Sequence, residues 1–246
     1  MSTTEGKIRQ TMDIPLDGDE RDGKMSASKV EAVMLCPAYL QANQKFEWYG
    51  DRSAADEGTA RHLNEEEQTP IEEIADEDRR RCAIQSRKAL EWCRETLGID
   101  GKIEREARLW WNDEWSGQLD YMELDGNRAF IADYKMLRGF HEPADRNVQL
   151  QAQGALVVKN YPKIEEVFLA LIEPFNDPTY TTVAYSRELL LTKGEEFTTA
   201  SQEALKPNPK PNAGVKQCKW CAGQPFCPAL RKLITDKLLH YGKLAG

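Results

Sequence analysis

The stretch GQLDYMELDGNRAFIADYK at residues 117–135 constrains this chain more than any other. Its centre, Asp125-Gly126-Asn127, accepts the positive φ angles of tight hairpin turns, so two apolar-rich strands are expected to pair around it. Each strand carries an aspartate where a core residue is expected, Asp120 in the first and Asp133 in the second. With Gly126 and Asn127 as the loop, Asp125 faces Arg128 and Asp120 faces Asp133. With Asp125 and Gly126 as the loop, Asp120 faces Ile131 and Asp133 becomes a diagonal neighbour on the same face. Either register brings the carboxylates together, and the period of two places Lys135 on the face of Asp133.

Like charges opposite each other destabilise a sheet, so the pair calls for a compensating group. A divalent cation is the natural candidate, because Mg²⁺ and Mn²⁺ take oxygen ligands, commonly carboxylates with waters and substrate phosphate. A lysine beside such a site can orient or help deprotonate an attacking water and offset charge on a phosphate. The plainer alternative leaves Asp120 at a strand end in solvent, with Asp133 and Lys135 on a wet sheet face.

The remaining pattern places this hairpin in an α/β chain. Residues 1–24 are polar and without periodicity, which predicts a mobile leader ahead of one domain over residues 25–246. SASKVEAVMLCPAYLQANQKF predicts a helix capped by Ser26 or Ser28 and broken at Pro37. A second helix begins near Gly58 and carries His62, and a third covers about 71–97 and stops at Gly98. KIEREARLWW predicts a strand before the hairpin, with Trp110, Trp111 and Trp115 as packing residues and not a base-stacking platform. After the hairpin come a helix capped by Asp145 and stopped before Pro162, two strands (IEEVFLALIEP and TYTTVAYS), a helix at about 186–205 and the Pro-rich spacer KPNPKPNAG.

The 246 residues suffice for one large core. Charged residues make up 30% and hydrophobic ones 40%, and no apolar run approaches the roughly 20 residues that span a bilayer. The expectation is a soluble protein with no membrane partner. No basic-then-apolar signal pattern opens the sequence, and six cysteines in this length do not make a secreted disulfide scaffold, so a reducing cytoplasm is expected. The net charge of −8 argues against a general basic coat for nucleic acid but leaves room for a local basic groove. Lys206, Lys210, Lys216 and Lys219 lie in one acid-free run.

QCKWCAGQPFC sets Cys218, Cys221 and Cys227 in a C-x2-C-x5-C array within a cluster segment of about 215–230. A zinc ribbon would supply a second C-x2-C pair, and there is none. Cys36, followed by proline as Cys227 is, can close a set of four thiolates, the number that holds a [4Fe–4S] cluster. Zn²⁺ is the alternative. Cys82 and Cys93 read as small buried hydrophobes.

Together, GTARH (58–62), GQLD (117–120), ADYK (132–135) and QLQAQ (149–153) resemble, in order and spacing, the motif series of the PD-(D/E)XK nucleases. With Cys36 and the C-terminal trio, the chain is similar to the RecB-like iron–sulfur branch that includes the CRISPR adaptation exonuclease and the AddB nuclease domain. The resemblance spans roughly residues 26–230. It implies a restriction-endonuclease-like core, with a central mixed sheet flanked by helices and an iron–sulfur clasp joining the N-terminal helix to the C-terminus. It further implies His62, Asp120, Asp133 and the Tyr134 carbonyl as ligands of Mg²⁺ or Mn²⁺, Lys135 as the catalytic lysine, and Gln149 as a residue holding the site or DNA. The motif tyrosine is replaced by Gln153. The implied activity is metal-dependent hydrolysis of DNA, as an exonuclease acting on single strands or DNA ends. The alternatives are a DNA-binding or recombination module without cleavage and a zinc-stabilised interaction protein.

Overall fold

A computed structural model describes residues 23–244 apart from 49 and 52. Nearly all of the expected leader therefore lies outside the described residues. Among those described, no helix is long and apolar enough to cross a membrane.

The chain enters through β1 (Met25–Ser26), a 3₁₀ turn, α1 (Val30–Leu35) and α2 (Tyr39–Lys45). Neither Ser26 nor Ser28 caps a helix: Ser26 lies in β1, which pairs parallel with Trp115 and Ser116, and the two hydroxyls bond each other at 3.0 Å. A long-range strand pairing has overridden the local cap signal. Pro37 does separate two helices as expected. Then come α3 (Ser53–Glu66) and α4 (Glu77–Leu97), which stops at Gly98 with φ 58°, a conformation open to glycine at little cost.

Strands β2 (Lys102–Trp111), β3 (Trp115–Asp125) and β4 (Arg128–Tyr134) form the expected meander. Asp125 pairs with Arg128 and Gly126 has φ 62°, so the loop is Gly126-Asn127, the first of the two registers. Helix α5 (Val148–Asn160) follows, capped by Asn147, whose side chain accepts the Leu150 N–H at 3.0 Å; the expected cap at Asp145 is corrected by two residues. Then come β5 (Glu166–Ile172), β6 (Tyr180–Ser186), α6 (Arg187–Leu205) capped by Ser186, α7 (Val215–Cys218) and α8 (Pro228–Leu244).

The six strands make one mixed sheet in the order β1-β3-β4-β5-β6, with β2 on the other side of β3. Strands β4 and β5 run parallel, joined through α5 as a crossover; the remaining long pairs are antiparallel. One face carries Met122, Ile131 and Leu169 against Leu150 and Val157 of α5 and Leu190 of α6. The other carries Tyr121, Phe130 and Ala170 against Cys82, Ala89 and Cys93 of α4. Burial pushes both cysteine thiols up to about 11, as inert packing groups. A third cluster sets Trp111 and Trp115, stacked at 5.7 Å, against α1, α5 and Phe197 of α6. These two tryptophans are packing residues, as expected; Trp110 is half-buried with Lys24 Nζ 5.6 Å from its ring.

Candidate active site

The site lies where the sheet departs from regularity. Leu119 packs toward α5 and so does Met122, although strict alternation would put them on opposite faces. In β2, Ala107 joins the α5 side while Ile103 packs with the α4 cluster. Both strands therefore slip by one face at the same level. Arg105 pairs with Tyr121 and Ala107 with Leu119, leaving Glu106 and Asp120 between them, and Glu106 has φ 50°. A non-glycine residue in that region is strained.

The β3–β4 ladder stops at Tyr121 and Ala132, one step short of Asp120 and Asp133. Asp120 uses its side chain where the ladder would use a carbonyl: Oδ2 accepts the Tyr134 N–H at 2.9 Å. Farther back, β3 turns to β1, and Gly117 sits between the two partners. A Cβ there would lie 2.6 Å from Leu156 Cδ1 and 2.9 Å from Ala27 Cβ, so only glycine admits α5 and the entry turn this close.

Helix α5 brings two glutamines under the carboxylates. Gln149 donates through Nε2 to Asp133 Oδ1 at 2.6 Å and accepts Lys135 Nζ at 3.1 Å. Gln153, fully buried, donates to the Gln118 carbonyl at 3.1 Å and approaches Asp133 Oδ1 at 3.4 Å. Lys135 Nζ stands 2.5 Å from Asp133 Oδ2 but off the direction of a hydrogen bond, so that buried oxygen has a charge beside it and no aligned donor.

Helix α3 supplies the histidine. Glu57 pairs with Arg79, and Glu65 with Arg87, fixing α3 to α4; Arg61 binds the Met136 carbonyl at 2.9 Å just beyond β4. Hydrogen bonds from Arg79 and Arg61 hold the Glu57 carboxyl down to about 2. His62 then lies with Nδ1 3.6 Å from Asp120 Oδ2 and its ring edge-on to Tyr134 at 6.4 Å.

Burial lowers the His62 pKa, favouring the neutral imidazole that can act as a ligand. Burial, and then the neighbouring Asp133 charge, raise the Asp120 carboxyl well above the usual range. For Lys135 burial acts to lower the pKa, but Asp133 and Asp120 outweigh it and the ammonium form is favoured. A cavity of about 560 Å³ opens beside His62, Asp120 and Gln149, lined also by Glu106, Arg108 and Gln118.

His62, Asp120, Asp133, Tyr134, Lys135 and Gln149 are thus brought together. Among the described residues no group of three or more His, Cys, Asp or Glu side chains closes around one ion, because Asp133 is turned to Lys135 and Gln149. The donor set still fits a hard cation: two carboxylates in one sheet gap, one with a buried oxygen lacking an aligned donor, and an imidazole across from them. Glu106 went unnoticed in the sequence because its strand reads as packing. Pairing that strand with the hairpin would have set it opposite Asp120. Burial raises its carboxyl, and Gln118 Nε2 bonds it at 2.7 Å.

The four cysteines are brought together as well. Cys36, Cys218, Cys221 and Cys227 line one cavity of about 450 Å³. Cys36 Sγ accepts the Asn212 N–H at 3.3 Å, Cys218 Sγ that of Gly214 at 3.4 Å and Cys227 Sγ that of Leu230 at 3.5 Å. Cys221 has a backbone hydrogen bond from Gly223, where a Cβ would lie 2.9 Å from Ala42 Cβ. Amides directed at sulfur favour thiolates, although burial outweighs that bond at Cys221 and raises its thiol. Across this cavity Asn212 Nδ2 binds the Leu35 carbonyl at 2.8 Å and Asn43 Oδ1 accepts the Ala222 N–H at 3.1 Å, so the first helices and the C-terminal segment are held together.

No family model and no curated protein matches the sequence. Among solved structures, the chain is similar to the alkaline exonuclease LHK-Exo from Laribacter hongkongensis, at 14% identity and TM-score 0.40 over 73% of this chain and 86% of that one. The same exonuclease in complex with dAMP gives 15% identity and TM-score 0.34 over 74% and 87%. A phage-related exonuclease from Haemophilus somnus 129PT gives 14% identity and TM-score 0.36 over 74% of this chain and 92% of that one. These likenesses are distant, and the chemistry of the site rests on its own residues.

Proposed function

We propose that this chain is a metal-dependent DNA nuclease of the PD-(D/E)XK type, in its RecB-like iron–sulfur branch, acting as an exonuclease on single strands or DNA ends. The observation that carries the reading is the sheet gap that sets Asp120 and Asp133 on one face with Lys135 beside them and His62 opposite. His62, Asp120, Asp133 and the Tyr134 carbonyl would hold Mg²⁺ or Mn²⁺. Such an ion supplies polarisation of a phosphoryl oxygen and an acidified water.

The chain's own groups do the rest. Lys135, kept as an ammonium by the two aspartates, offsets charge on the scissile phosphate and orients the attacking water. Gln149 ties Lys135 to Asp133 and fixes both, and Gln153 anchors Asp133 from beneath where the family places a tyrosine. Cys36, Cys218, Cys221 and Cys227 would hold a [4Fe–4S] cluster that clamps the termini, with Zn²⁺ as the alternative; the amide bonded to each sulfur and the one cavity they line support a thiolate site. Six free thiols suit a reducing, cytoplasmic setting.

The test is cleavage, with Mn²⁺, of end-labelled single-stranded, duplex and circular DNA. Loss of linear substrates from their ends, with circular DNA spared, is expected. Cutting of circles would make the enzyme an endonuclease, and no cutting of any substrate by iron-loaded protein would leave a binding module.

A further inference from the structure

The cavity beside His62 and Asp120 does not end there. A second, of about 430 Å³, shares Ala27, Ser28 and Gln149 with it and runs to Trp220, between Cys218 and Cys221. The shared wall includes the first turn of α5, the positive end of a 13-residue helix. Beyond it the groove changes character. Phe140 is 85% exposed and Trp220, tilted against Trp48 at 5.7 Å, is still 59% exposed, both more open than rings buried in the core. Lys219 Nζ lies 5.2 Å from the Trp220 ring, and among the described residues it makes no ion pair. Arg146 adds a second cation, 3.8 Å from Glu142. The two acids of this groove, Glu31 and Glu142, are both bound by Lys216, at 2.8 and 3.0 Å.

From this placement we propose that the groove from Gln149 to Trp220 binds a single strand of nucleic acid, with bases stacking on Phe140 and Trp220 and phosphates drawn by Arg146, Lys219 and the start of α5. Exposed aromatics interleaved with cations are the chemistry that holds unpaired bases, because every base offers a π-face and every linkage a charge. A duplex cannot present its bases to such rings. The groove is continuous with the proposed cleavage site, so it would deliver one strand to Asp120 and Asp133 while the acidic end takes the metal. This inference rests on the nuclease reading for its choice of DNA, but its test does not.

Binding of fluorescein-labelled oligodeoxythymidine and of a blunt duplex is measured by anisotropy without divalent cation, so that nothing is cut. Phe140→Ala and Trp220→Ala should each weaken single-strand binding by about ten-fold, with little change for duplex. Trp220→Phe should restore most of it, which separates stacking from damage to the adjacent cysteine segment; Phe140 lies apart from that segment and checks it independently. Lys219→Ala should weaken binding and flatten its salt dependence. Unchanged single-strand binding in both aromatic variants, or equal losses for single strand and duplex, overturns the groove even if the wild type cuts DNA. Wild type that binds single strands through these rings yet cuts nothing sinks the nuclease reading and leaves the groove standing.

Discussion

At the scale of single residues, the arrangement separates groups that hold from groups that act. Lys135 touches Asp133 and Gln149 beneath the proposed metal site, so on the proposed reading it would contribute to the reacting charge more than to gripping DNA. Lys135→Ala should lower cleavage by roughly 10² to 10⁴-fold while single-strand affinity changes by less than about three-fold; equal loss of both would make it a simple phosphate contact. Asp120 carries repulsion from Asp133 in a buried setting, so Asp120→Asn should abolish cutting yet raise the melting temperature measured in EDTA. Mn²⁺ should raise that temperature in the wild type and not in the variant, since only the folded chain offers the site. A variant that is less stable without metal would show that the pair is not under strain.

Among the elements, β3 is tied to α4 three residues from the gap. Glu123 on β3 is fully buried, accepts two bonds from Arg94 of α4 at 2.8 and 3.1 Å, and takes the Gly101 N–H at 2.8 Å and the Tyr121 hydroxyl at 2.6 Å. Burial pushes its carboxyl up, but these donors outweigh burial and hold it below the usual range. A carboxylate so lowered contributes stability above its unfolded pKa of about 4.3, which is lost as pH falls through the folded value. Glu123→Gln should therefore cost about 1–3 kcal/mol at neutral pH and flatten the loss of stability below about pH 5, as read by urea unfolding across that range. A parallel acid limb in both proteins would remove Glu123 from the account.

Much of this level could be read from residues alone: the hairpin turn at 125–127, though not which two residues form its loop, the stop at Gly98 and the span of β2 each have a local cause. The face slip at Glu106 and Asp120 had none, because strict alternation carries no mark of where two paired strands will skip together. Ser26 misled for the opposite reason, since a strong local signal yielded to pairing with Trp115 and Ser116, some ninety positions away. Asp145 and Asn147 are both good caps, and only the packing of α5 chose between them. Gln153 looked like a lost tyrosine; its burial beneath Asp133 was legible only once α5 lay on the sheet.

For the whole molecule, the cysteine segment joins the two ends of the domain. It reaches α1 and α2 through Asn212, Asn43 and the Tyr39 hydroxyl, which donates to the Trp220 carbonyl at 3.4 Å. A cluster held by Cys36 and the trio would lock that junction. Cys36→Ser, purified anaerobically, should lose iron and its visible absorption and expose residues beyond about 206 to protease, whereas Cys82→Ser, altering a thiol of α4 packed on the sheet, should keep both. Full iron in Cys36→Ser would remove it from the ligand set.

The proposal that two facing aspartates and a lysine make this fold a nuclease is tested most directly by one comparison: Mn²⁺-dependent release of nucleotides from end-labelled single-stranded DNA by wild type and by Asp133→Asn, with single-strand affinity measured on the same preparations. The wild type should degrade the strand from its end, and the variant should bind it and leave it intact. Cleavage by the variant at the wild-type rate would contradict the assignment of the site.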